Sequence, residues 1–424
     1  MKIWHLEKEK NNLLAFVYAM REKRRKNVGR SVMAIKKTLL AEKEKALIEF
    51  ARKWDGWEKD YPLKLTKKEI ERAAQPVSAK DINVLKGMTR NVTLYHRTQK
   101  PVKHTYHRNG ITVIDERIPV ERILVYVPGG KATYPSSLIM GVVPAQIAGV
   151  KHINVTTPAS NGRVDPYICA CCLLLGVDNL YRIGGAQAIY AFSYGIGNIP
   201  KVDMIVGPGN AFVEEAKRDV YGWVGIDMLA GPTELIILCD KTFSPGTVAW
   251  DMFSQAEHDE MAMVGFFSRS KEHIYDVLKH IEKLISFNKR QDVIEKALRQ
   301  NSFMVHYTDT ASAIETINTI APEHLEYIGD RANEKELKYP GIIYTGSYTT
   351  VAMGDYYIGT NHILPTGGAG RFIGGLSVET FLRRKTLVRI DKGFLNKYGD
   401  RAIRLSHIEG LFAHGEAIKA RKGL

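Results

Sequence analysis

Four short stretches collect acid, base and metal-ligand side chains: SQAEHD at 254–259, APEHLE at 321–326, GDYYIGTNHILPTGG at 354–368 and IEGLFAH at 408–414. In the first, Gln255 and His258 stand three apart, a spacing that puts both on one helical face and lets both reach one ion. A helical histidine making ordinary hydrogen bonds has the same spacing. In the second, Pro322 ends the preceding helix and sets Glu323 and His324 side by side at an element boundary, where an acid/base pair can project into a cleft. A capping acid beside a surface histidine reads alike. In the third, Gly354, Gly359, Gly367, Gly368 and Pro365 predict a sharply bending loop that carries Asp355, Asn361 and His362, a candidate metal or substrate site. The plain alternative is a solvated surface loop. In the fourth, Glu409 and His414 would be turned about 140° apart on a continuous helix, so either Gly410 breaks the helix or the two have different roles.

The chain must hold these stretches in place. Residues 1 to about 90 read as amphipathic helices, since segments such as LLAEKEKALIEFARKWDGW alternate apolar and charged residues at helical spacing. Residues 91–120 read as extended, from VTLYHRTQK to GITVIDERIPV. From Arg122 a strand, glycine turn, helix unit repeats: RILVYVPGG, HINVTTPA, NLYRIGG and VDMIVGPG each lead into a helical stretch. That alternation implies a buried parallel sheet with right-handed crossovers, a doubly wound α/β domain. A second α/β pattern, with strands AMVGFFS, SFMVHYT and GIIYTG, fills residues 235–375, and the tail from Ser377 reads as helical and basic. The turns VPGG (127–130), IGGAQ (183–187) and VGPGN (206–210) fall between strand and helix, where such sheets bind ligands and phosphates. None is a G-x-G-x-x-G, so on spacing alone they are also ordinary tight turns.

Composition narrows the classes. With 424 residues, two or more domains are expected. The longest apolar run, Leu138–Val150, is broken by Pro144 and Gln146 and falls short of the roughly twenty residues a membrane helix needs. The charged N-terminus MKIWHLEKEKNN lacks the apolar core of an export signal, so a cytoplasmic location is expected. Cys169, Cys171, Cys172 and Cys239 lack the spacing of a structural zinc site and read as buried reduced thiols. The formal charge of +14 and the run REKRRK at 21–26 raise a nucleic-acid partner, but no aromatic residues interleave the run, and a solvated helix face reads better.

Eight stretches, in order from about residue 122 to the C-terminus, resemble the histidinol dehydrogenase family: YVPGG, GGAQAI, GPGNAFVEEAKR, GIDMLAGPTE, QAEHD, APEHLE, GDYYIGTNHILPT and EGLFAH. The resemblance implies two NAD-dependent oxidations that convert L-histidinol to L-histidine, with zinc holding the substrate. It implies zinc on Gln255, His258, Asp355 and His414, and Glu323 and His324 as the acid/base pair. It places Thr233, His362 and Glu409 on the substrate, together with His324 and the zinc ligands, and Tyr126, Gln187 and Asn210 on NAD. The implied architecture is two Rossmann-like domains in a domain-swapped homodimer, with no nucleic-acid or membrane partner. Its parts are an N-terminal helical segment (1–20), a catalytic domain (21–121 with 235–376), an NAD domain (122–234) and a tail (377–424) that completes the partner's site.

Two departures touch the substrate. Thr233 stands for the usual serine of GPSE, and Leu229 stands where proline is common; both resemble a sister branch that oxidises alcohols such as dihydroxypropanesulfonate. Thr233 keeps the hydroxyl, and APEHLE and LPTGG favour histidinol. A zinc hydrolase would need an H-E-x-x-H or similar spacing, which the sequence lacks.

Overall fold

The repeat that begins at Arg122 folds into a five-stranded parallel sheet, in the computed structural model that describes residues 1–24, 28–57, 62–129, 133–240 and 243–423. Its strands lie in the order Leu180–Arg182, His152–Thr157, Arg122–Tyr126, Met204–Val206, Gly225–Ile226. Ile123 and Val125 pack into one apolar cluster while Leu124 and Tyr126 pack into another, so helices cover both faces of the sheet. A six-stranded parallel sheet repeats the design, in the order Lys2–His5, Ser302–His306, Met263–Ser268, Glu234–Cys239, His324–Ile328, Ile342–Thr345. Its two central strands are buried along their whole length, which is why their sequences are continuous apolar runs. Leu235 and Ile237 face one helical layer, Ile236 and Leu238 the other. The chain is thus mixed α/β with parallel sheets and helices at both ends. Among the described residues no helix is long and apolar enough to cross a membrane, and all four cysteines are free and buried.

Several expectations need correction. Val92–Arg97 is helical, not extended: it ends the helix Ala79–Arg97, whose Leu85, Met88, Val92 and His96 form one buried stripe. That helical stripe overrides the local β propensity. The first residues are not helical either, since Lys2–His5 pairs in parallel with Ser302–His306 before the helix Leu6–Arg24 begins. The tail opens with the strand Leu382–Ile390, antiparallel to Ile111–Pro119 in a three-stranded sheet with His104–Arg108, before its helices Lys392–Ile408 and Phe412–Lys422. The stretch from Gly354 is not wholly loop, because Val351–Tyr356 is a short helix with Asp355 in its last turn. The helices between residues 29 and 97 pack on those of the five-stranded sheet. Gly130 of the first glycine turn and Arg25 and Lys26 of the basic run lie outside the described residues.

Candidate active site

The helix Thr310–Ile320 ends on Ala321, whose φ of 47° is left-handed, a rare state for a residue with a Cβ. Pro322 forbids any continuation, and the strand His324–Ile328 starts two residues later. The boundary that Pro322 predicts is there, and it delivers Glu323 and His324, 7 % and 3 % exposed, to the mouth of the six-stranded sheet.

Glu323 is fixed through one oxygen. Thr233 Oγ1 donates to Oε2 at 2.6 Å and Glu234 N donates to it at 2.9 Å, while Oε1 takes no donor among the described residues. His324 Nδ1 lies 3.2 Å from Glu234 O and 3.4 Å from Glu323 Oε2. A proton on Nδ1 satisfies both contacts. In the neutral ring Nε2 is then the bare nitrogen; it is buried with no partner, an orphan that calls for a ligand or a chemical role. Burial opposes a charged imidazolium, but the Glu323 carboxylate outweighs it and His324 is pushed up to about 9. The same pairing, with the Thr233 and Glu234 hydrogen bonds, holds Glu323 low against the burial that would raise it.

Thr233 also settles an orientation. Its oxygen is 2.9 Å from Gln255 Oε1 as drawn, yet a hydroxyl has one hydrogen, and the carboxylate takes it. Gln255 must therefore turn its NH₂ to Thr233, which frees the amide oxygen. Gln255 sits in the last turn of the helix Pro245–Ala256, and His258 lies just past its end, not on it; a turn from His258 N to Gln255 O, 3.2 Å, keeps the two together. Burial, offset in part by Glu323, holds His258 below its ordinary value, so its imidazole is neutral. It opens onto a cleft of about 360 Å³ lined by Val84, Met88, Tyr134, Arg290 and Tyr356. Asp355 faces the Glu323–His324 pair, and burial pushes it up to about 6 despite His324. His362 Nδ1 lies 3.2 Å from Asp355 O and 4.0 Å from Asp355 Oδ1, and its Nε2 lies 3.0 Å from Ser137 Oγ. Burial drives His362 down to about 4, so it too is neutral.

The structure thus brings Thr233, Gln255, His258, Glu323, His324, Asp355 and His362 together. It does not bring Glu409 and His414 to them. Gly410, at φ 72°, breaks the tail into two helices, as one reading of the spacing requires. Both residues are exposed and stand outside the cluster. Among the described residues no three His, Cys, Asp or Glu side chains form a ready metal site.

The residues assigned to NAD lie on the other sheet. Gly207 has φ 109°, and a Cβ there would stand 2.1 Å from Tyr126 O, so this turn hugs the neighbouring strand as only glycine allows. Asn210 Oδ1 caps the next helix by accepting from Phe212 N and Val213 N, leaving its exposed amide NH₂ for a ligand. Tyr126 and Gln187 are buried and engaged internally, Tyr126 OH accepting from Gly185 N and Gln187 bonding Asp55.

The motif reading missed two supports. Arg21 makes two hydrogen bonds to the buried Glu234 carboxylate, at 2.9 and 2.7 Å, and Glu234 holds Glu323 and His324 through its backbone. Unpaired, such a buried carboxylate would cost about 3–5 kcal/mol. Ser137, on the helix Pro135–Ala148, holds His362 of the loop that follows Asp355. Glu234 was visible as the last letter of GPTE; Arg21, buried in a run read as solvated, and Ser137 gave no signal.

A family model described as histidinol dehydrogenase matches residues 19–422. A histidinol dehydrogenase of Bacillus cereus is 40% identical over 399 residues, covering 93% of this chain and 92% of its own. One of Clostridium acetobutylicum is 41% identical over 384 residues, 89% of this chain and 88% of its own. The crystal structure of histidinol dehydrogenase from Elizabethkingia anophelis superposes with a TM-score of 0.89 at 32% identity, covering 93% of this chain and 92% of that one. Sequence and fold thus agree, and the chain belongs to the histidinol dehydrogenase family.

Proposed function

We propose that this chain oxidises L-histidinol through L-histidinal to L-histidine, consuming two NAD, with Glu323 and His324 as the reacting pair. The observation that carries the reading is the unpartnered Nε2 of His324, its tautomer set by Glu234 O and its charge governed by Glu323. The test is product stoichiometry: two NADH and one histidine per histidinol. A higher kcat/KM on dihydroxypropanesulfonate, the alternative raised by Thr233 and Leu229, would overturn the substrate assignment.

Zinc would be held by Gln255, His258 and Asp355, with His414 of a second copy as the fourth protein ligand. The donors fit: a freed amide oxygen, a neutral imidazole and a carboxylate suit zinc that also accepts substrate nitrogen in open positions. NAD would lie on residues 122–234, read as a Rossmann-like domain. Numbered along the chain its strands run 3-2-1-4-5, the order that places a dinucleotide at the carboxyl ends of the strands. Asn210 would touch it directly, and Tyr126 and Gln187 would shape the turn beneath.

Bound, NAD supplies the hydride acceptor and zinc supplies a Lewis-acid anchor for the substrate's nitrogen atoms. His324 Nε2 accepts the alcohol proton as the C–H bond breaks. Glu323, through its free Oε1, takes a proton from the water that adds to the aldehyde. Thr233 and His362 orient the substrate, and the low pKa of His362 keeps a second cation out of the site. Chelation should abolish turnover, and cobalt or cadmium should restore much of it. Unchanged histidinol turnover and KM in metal-free protein would refute the ligand set.

A swapped homodimer accounts for the tail. Leu405, Ile408 and Phe412 are 57 %, 68 % and 64 % exposed around the Glu409–His414 turn, more apolar surface than a solvated helix pair keeps. Packed on a second copy, that face would bring Glu409 and His414 to the copy's cluster.

A further inference from the structure

Two carboxyl groups, one buried and one half-buried, lie beside the reacting cluster and take no part in it. Glu326, two residues past His324 on the same strand, is 2 % exposed, and Asp251 precedes Gln255 by about one turn on the helix Pro245–Ala256. The two act on each other as adjacent carboxyl groups, Asp251 raising the affinity of Glu326 for a proton and Glu326 lowering that of Asp251. Two carboxylates have no hydrogen between them, so the contact requires one proton held in common. Their other contacts fasten a third element. Thr350 Oγ1 donates to Asp251 Oδ1 at 2.9 Å, and Val351 N donates to Glu326 Oε1 at 2.7 Å. Thr350 is the N-cap of the short helix that carries Asp355, but its own side chain does not cap it; Glu326 does.

We propose that Asp251 and Glu326 are positioning residues, a carboxylic acid and a carboxylate sharing one proton, which lock together the elements bearing Gln255, His324 and Asp355 and so set the spacing of the zinc donors. This rests on the ligand set proposed above. The ionisable groups facing the pair are Cys239, on the neighbouring strand Glu234–Cys239, and Tyr344, opposite Glu326 on the strand Ile342–Thr345. Burial holds both neutral, and His324, on the same face of the strand as Glu326, is paired with Glu323 instead. Nothing would offset a second negative charge. Burial and Asp251 push Glu326 up to about 8, above its unfolded value. The folded protein therefore keeps a proton the unfolded chain releases, and the stability this gives is lost as pH rises through about 8.

The test is zinc affinity, read by competition with a chromophoric chelator on the full-length protein between pH 7 and 9.5. Metal sites ordinarily tighten as pH rises and their ligands lose protons. Here the wild type should weaken about tenfold or more above pH 8, because the shared proton leaves and the pair repels. Glu326→Gln supplies an amide N–H in place of that proton, so it should hold zinc like the wild type at pH 7 and lose the alkaline weakening. Glu326→Ala should bind about 10–100-fold more weakly at every pH, with a cooperative melt showing that it is folded. If it does not fold, Asp251→Asn serves, with the behaviour expected of Glu326→Gln. Wild-type zinc affinity in Glu326→Ala, or an undiminished alkaline fall in either amide variant, would overturn the proposal. His258→Ala tests the underlying set separately: binding zinc as tightly as the wild type, it would remove the ligand assignment itself.

Discussion

Replacing Glu323 with glutamine should leave oxidation of histidinol to histidinal appreciable and lower oxidation of histidinal by about 10²–10⁴. The two steps ask different things of the pair. The first needs a bare Nε2 on His324, whose tautomer is held by Glu234 O at 3.2 Å and survives the substitution. The second needs a base at Glu323 Oε1, the oxygen free of protein donors, and an amide cannot serve. The pH dependence supplies a second readout. In the wild type, Glu323 holds His324 up to about 9 against the effect of burial, so the base form, and with it the first step, grows as pH rises toward that value. Without the carboxylate, burial prevails and His324 falls. The rising limb of alcohol oxidation should therefore move to lower pH in Glu323→Gln. Each half-reaction can be followed alone, with histidinal supplied for the second. Equal losses in both, with an unmoved limb, would count against the division of labour.

His414→Ala and His324→Ala should each be inactive, and a mixture of the two should recover activity. In a swapped dimer each site combines one chain's Gln255, His258, Glu323, His324 and Asp355 with the other chain's Glu409 and His414. A mixed dimer then has one site with both lesions and one with neither. Random exchange of equal amounts makes about half the dimers mixed, so activity should reach about a quarter of the wild type. Dilution should lower specific activity together with the dimer fraction. No recovery at any ratio, with exchange verified by mass, would mean that the tail completes its own chain's site.

The reading from sequence succeeded where one physical signal dominated. Apolar runs gave the strands Arg122–Tyr126 and Met263–Ser268, each central in its sheet, and Pro322 gave the boundary that delivers Glu323 and His324. It failed where tertiary packing decided. Val92–Arg97 has strand-forming residues, yet its stripe toward a buried layer makes it helical. Leu382–Ile390 is mostly exposed and basic, so no burial pattern marked it as a strand; its partner Ile111–Pro119 did. At the site, side-chain types were legible but orientations were not. That Gln255 frees its oxygen follows only once Thr233 is seen to spend its hydrogen on Glu323. The place of Arg21, over two hundred residues from Glu234, was beyond any local pattern.

The strand Lys2–His5 occupies an edge of the six-stranded sheet, and its partner is Ser302–His306. On a ribosome it is made about 300 residues ahead of that partner. At about 5–20 residues per second, some 15–60 s pass before its partner emerges. The five-stranded sheet and the helices packed on it can be complete by then, whereas Trp4 and Leu6, 3 % and 0 % exposed in the folded protein, have only the helix Leu6–Arg24 to cover them. Until Ser302–His306 is made, the nascent chain therefore carries an unpaired apolar strand, a natural hold for a chaperone, and the larger sheet closes only after that point.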